Sequence, residues 1–169
     1  MGGATVFKAA TGRRLETVGA ALDTFLSTNP SSPKPLLEET LCRSLVWFGE
    51  ACNEPLDFVA IVKFAAALDT LAKGRQVPGI CELVKRRYPV PDMDAPFLPG
   101  GTSAKQLVEQ IYSTGRSQII HGTRPSLVDD LESLRERAEF LASLMLRASI
   151  NWLDTYAGID DVGAFATQP

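Results

Sequence analysis

A single histidine, His121, stands in the 169-residue chain, and that scarcity removes several chemistries at once. Paired-histidine metal sites and the His-Glu-x-x-His metalloprotease helix both need a second imidazole. Histidine acid–base work near neutral pH falls to this one ring. Cysteine is scarce as well. Cys42, Cys52 and Cys81 are an odd count with no Cys-x-x-Cys pair, too few for a disulfide framework. Each stands among apolar neighbours in sequence, where Cys behaves as a small buried hydrophobe.

No apolar run approaches the ~20 residues of a membrane-crossing helix. The first residues, Met1-Gly2-Gly3-Ala4, lack the basic-then-apolar layout of a secretory leader. The expectation is a cytoplasmic protein with no membrane contact. Positive charge is not in excess: 17 basic residues face 20 acidic ones, for a net charge of −3. That balance excludes a protein that coats duplex DNA nonspecifically. The one dense basic run, Lys85-Arg86-Arg87, reads as the end of a helix whose dipole favours cations there. Period-two strand patterns are missing, as are Gly-x-Gly-x-x-Gly and Gly-Lys-Ser, so the Gly-rich nucleotide folds are excluded.

What the chain does have is helical spacing. From Arg13 to Thr28, Leu15, Val18, Leu22 and Phe25 lie on one stripe, and three prolines within Asn29–Pro35 then break the helix. A second helix over Leu36–Asn53 carries Leu37, Leu41, Leu45, Phe48 and Cys52. A third, Leu56–Lys73, is apolar almost all round and so belongs at the centre of a bundle, with Gly74 as its C-cap. Pro78–Arg87 is a shorter helix, and the proline-rich Tyr88–Gly101 is a loop. Thr102 or Ser103 caps the next helix, which holds Leu107, Val108, Ile111 and Tyr112 and ends near His121-Gly122. Ser126 and Asp129 resemble a capping box for the last helix. There Leu127, Leu131, Leu134, Ala138, Leu141, Met145, Ala148 and Trp152 form a seam, either intramolecular or a dimer contact.

Residues from Gly158 onward read as a frayed tail with Asp160-Asp161 solvated, and Trp47 and Trp152 as core or interface aromatics. The expected fold is all-α, an antiparallel up-and-down helical bundle in one domain over 1–169.

Chemistry concentrates in the segment Tyr112-Ser-Thr-Gly-Arg116-Ser117-Gln-Ile-Ile-His121-Gly122. On a regular α-helix Arg116 and His121 differ by about 140° and do not share a face. They converge only if the helix end is distorted, or if two copies meet across a two-fold axis. The pattern Arg-Ser-x-x-x-His-Gly resembles the Arg-x4–6-His motif of HEPN domains, in particular the Apea-like branch. Cys42-Arg-Ser-Leu-Val-Trp47 and Phe64-Ala-Ala-Ala-Leu-Asp69-Thr-Leu71 resemble early helices of that branch, and the resemblance spans roughly residues 36–150.

It implies a dimerising helical bundle, and in many members a metal-independent endoribonuclease of defence or toxin–antitoxin systems. By carry-over Arg116 holds the scissile phosphate and His121 moves protons during attack by the ribose 2′-hydroxyl. Ser117 fills the polar position after the arginine, and Tyr112 stands on the substrate side. Ser117 departs from the Asn, Asp or His that many active members carry there. RNA supplies its own nucleophile, so neither a cofactor nor a metal is called for. The expected partners are RNA, a second copy of the chain, and an antitoxin or defence protein. The alternative reading is a catalytically inactive HEPN scaffold that binds a protein partner. A further alternative is one domain of a longer protein.

Overall fold

The computed structural model describes residues 3–28, 31–88, 90, 92–117 and 131–169, without the side chains of 3–11 and 114–117. Among the described residues there is no strand, only one isolated bridge between Pro96 and Ser103. The helices are α1 (Gly3–Leu26), α2 (Pro35–Cys52), α3 (Asp57–Leu71), α4 (Gln76–Arg87), α5 (Ala104–Glu109), α6 (Glu132–Thr155) and the short α7 (Ala164–Thr167). A π-helical segment, Gln110–Ser117, continues directly from α5. No described helix is long and apolar enough to cross a membrane.

Local chemistry sets several boundaries. Pro35 opens α2, where its missing N–H costs nothing. Gly74 takes φ +69° and its N–H bonds the Asp69 carbonyl at 2.8 Å, closing α3 as the glycine predicts. Ser103 forms a full capping box. Its Oγ accepts from the Gln106 N–H at 3.2 Å, and Gln106 Oε1 accepts from the Ser103 N–H at 3.0 Å. The expected cap at Ser126 and Asp129, with Leu127, lies outside the described residues.

Side-chain pairs fix relative directions. Phe48 meets Phe64 at 5.5 Å between ring centroids, Ser44 Oγ donates to the Ala67 carbonyl, and Glu50 pairs with Lys63. As numbers rise along α2 they fall along α3, so the two are antiparallel. Arg14 bonds Asn151 and Thr17 bonds Asp154, so α1 and α6 run parallel. Asp57 and Arg135, 2.8 Å apart, join the first turns of α3 and α6. Helix α3 packs against α2, α4, α6 and the π segment, the central position its apolar surface demands. Ala60, Ile61, Phe64, Ala65, Leu68 and Leu71 are fully shielded or nearly so. Each large side chain among them contributes about 1.5–3 kcal/mol on burial. The α6 seam faces this core: Leu131, Ala138, Leu141 and Met145 are buried, which makes it intramolecular packing.

Three expectations are corrected. The α1 stripe faces inward only through Val18, which packs against the core beside the buried Ala21, while Leu15 is 68%, Leu22 43% and Phe25 41% exposed. Cys52 is exposed, whereas Cys42 is buried and Cys81 half-buried.

Finally, the segment from Gly158 onward is not frayed. Phe165 is fully buried with Ala164 and Ala166, against α4. Asp160 is not merely solvated, since its carboxylate accepts from the Leu36 and Leu37 N–H groups, both at 2.9 Å. It thereby caps the N-terminus of α2, which has no side-chain cap of its own.

Candidate functional site

The structure answers one part of the geometric question posed by the Arg116–His121 spacing. The helix that leads into the motif is distorted as far as Ser117. Six α-helical residues after the Ser103 cap give way at Gln110 to π winding that lasts through Ser117. In an α-helix the backbone N–H bonds four residues back; in a π-helix it bonds five back, and such segments are rare and frequent at functional sites. The segment is anchored on its inner side, where Ile111 is 1% and Tyr112 6% exposed, and it packs on α3, α5 and α6. Tyr112 therefore stands within the core cluster and not on the substrate side expected of it.

The backbone of Arg116 and Ser117 forms the end of this segment; their side chains are not described. His121 lies outside the described residues, as does Gly122.

The basic run at the end of α4 divides in two. Arg87 is structural. Its guanidinium stacks 4.1 Å from the Trp152 ring centroid, and its Nε donates to the Phe165 carbonyl at 2.7 Å. A further N–H donates to the Gln168 carbonyl. Burial, with Arg86 adding to it, pulls Arg87 down to about 10, so it still carries its proton at neutral pH. Lys85 and Arg86 instead line an open groove with Glu82, Ala166 and Thr167.

Among the described residues no group of His, Cys, Asp and Glu has the arrangement to hold a metal. The thiols of Cys42 and Cys81 are pushed up mainly by burial, and Cys52 is pushed up by burial and by Glu139, so none is primed as a nucleophile.

Sequence reasoning missed an acidic groove where α1, α2 and α6 meet. Glu16 and Asp23 of α1, Glu38 of α2 and Asp154 of α6 line two adjoining hollows together with Ala20 and Pro33. The only hint in the sequence is that Glu16 and Asp23 are seven apart, on one side of a helix. The other two carboxylates join them only through tertiary packing. No family model, no curated protein and no solved structure matches this chain.

Proposed function

We propose that the chain is a metal-independent endoribonuclease on a HEPN-type antiparallel up-and-down bundle, of the kind used in bacterial defence or toxin–antitoxin systems. The observation that carries this reading is the π winding that leads into the motif. Regular α-helical winding keeps Arg116 and His121 apart by about 140°. Winding that joins residues five apart has the spacing that separates these two in the sequence. The directions of α1, α3 and α6 one way and α2 the other support the up-and-down arrangement.

In this reading Arg116 contacts the scissile phosphate through its planar guanidinium. His121 removes the proton of the 2′-hydroxyl or supplies one to the departing oxygen. The bond from the 2′-oxygen to phosphorus forms as the bond to the 5′-oxygen breaks, leaving a cyclic phosphate and a 5′-hydroxyl. Ser117 adds a hydroxyl beside the phosphate, and Tyr112 positions the segment from the core. Pairing of two copies offers a second way to bring arginine and imidazole together, with one homodimer holding two motifs.

The test is cleavage of end-labelled single-stranded RNA in EDTA by the wild type and by His121→Ala. The expected result is cleavage by the wild type and a loss of about 10²–10⁴-fold in the variant with helicity unchanged. Equal cleavage by both proteins, or none by either, would overturn the ribonuclease reading.

A further inference from the structure

Helix α1 touches the bundle along a narrow strip. Ala21 is fully buried, Arg14 and Thr17 bond Asn151 and Asp154, and Thr24 bonds Glu38. Val18 packs against the core beside Ala21, but the leucines point elsewhere. Leu15, Leu22 and Leu26 are 68%, 43% and 77% exposed, and their spacing of seven and four puts them on one side of the helix. Gly12 and Gly19 lie on that side too, and a Cβ added to either meets nothing within 4 Å. An amphipathic helix ordinarily turns its apolar stripe to the core. A stripe turned outward and bordered by polar groups marks a contact surface.

The border beside the groove is acidic, while Arg13 and Arg14 line a neighbouring hollow that shares Asp154. Glu16 and Asp23 stand at the edge of the stripe, and Glu38 and Asp154 continue the acidic groove behind them. None of the four takes part in an ion pair among the described residues. The groove's own cation, Lys34, lies 5.3 Å from the Tyr156 ring centroid.

Charge also decides the occupant. In an antiparallel two-fold pairing of α1 with a second copy, like edges meet, so Glu16 and Asp23 of one copy face their equivalents. In a parallel pairing the opposite edge offers Arg14, which is already bonded to Asn151. An anionic membrane surface is repelled by the same carboxylates.

We infer that this face docks an amphipathic helix of a partner protein, apolar where it meets Leu15, Leu22 and Leu26 and bearing Lys or Arg on the flank above the acidic groove. The glycines at 12 and 19 leave room for the partner's larger apolar side chains. The surface operates whether or not the Arg116–His121 motif cleaves RNA.

Two fluorescein-labelled helical peptides test the inference by anisotropy against the full chain. Both carry leucine on one face; the flank is lysine in one and glutamate in the other. The lysine peptide is expected to bind at least about ten-fold more tightly, with an affinity that falls as salt rises. Leu15→Asp with Leu22→Asp, both at exposed positions, is expected to abolish binding without loss of helicity. Glu16→Lys with Asp23→Lys is expected to reverse the preference between the peptides. Absence of binding, equal binding of both peptides, or unchanged binding in the leucine variant would each overturn the inference. So would a wild-type dimer by light scattering that the leucine variant dissociates, because a second copy would then be the occupant. RNA cleavage is a separate readout, so failure here leaves the ribonuclease reading standing.

Discussion

Replacing Phe165 with alanine tests whether the last helical turn is part of the fold or an ornament on it. The ring is fully buried and lies 5.2 Å from the Trp152 ring, tilted by 53°. Its own carbonyl accepts from Arg87 Nε. Phe165→Ala removes the transfer energy of the ring and leaves a hollow between α4 and α6. Such changes cost about 3–5 kcal/mol. For a chain of this size each kcal/mol lowers Tm by roughly 2–4 °C, so the melt should fall by roughly 6–20 °C.

Far-UV circular dichroism melts and urea titration supply the number. A Trp47→Phe background leaves Trp152 as the sole indole, and its emission should move to the red if the ring loses its neighbour. A cost below about 1 kcal/mol with unchanged emission would mean that the segment from Gly158 does not hold to the bundle, and the packing argument would fail.

Two glycines inside helices should respond to alanine with opposite signs. At Gly49 nothing lies within 4 Å of an added Cβ, so Gly49→Ala should stabilise by about 0.5–1 kcal/mol through helix propensity. At Gly79 the new carbon would fall 2.4 Å from Arg75 Cβ and 3.0 Å from the Ala72 carbonyl, so Gly79→Ala should lower the urea midpoint instead. The third prediction concerns pH. The Gly163 N–H and then the Lys73 ammonium hold Asp161 below the usual carboxylate range. A folded-state pKa depressed in this way adds stability above the ordinary carboxylate pKa, and that stability is lost as pH falls through the depressed value. The stability gap between the wild type and Asp161→Asn should therefore be constant near neutrality and close in acid. A gap that widened on acidification would contradict the sign.

The helices were legible where local rules and burial agree. Ser103 with Gln106, Pro35 and Gly74 mark their boundaries through chemistry contained within a few residues. The central place of α3 followed from its apolar circumference. The tail was not legible, because one phenylalanine between small residues has no periodicity; only the groove beside α4 explains its burial. Nor was the orientation of α1, since a stripe of four apolar residues reads the same whether it faces a core or a partner. The π winding also left no mark in composition: Gln110–Ser117 is polar as a string, and its packing on α3 and α6, with Ile111 and Tyr112 buried, is a tertiary matter. For the candidate site, the motif's spacing was readable and the distortion of its helix was not.

The Asp160 cap carries a consequence for the order of events during synthesis. The N–H groups of Leu36 and Leu37 receive their partner from a residue made 124 and 123 positions later. Chains emerge from the ribosome at about 5–20 residues per second, so the start of α2 waits several seconds for its acceptor. Through that interval α2 can wind but its first turn stays open, as does the cleft beside α4 that Phe165 fills. The nascent bundle is thus complete in its middle before it is closed at that end, and a pause in translation before codon 160 should hold it in the open form.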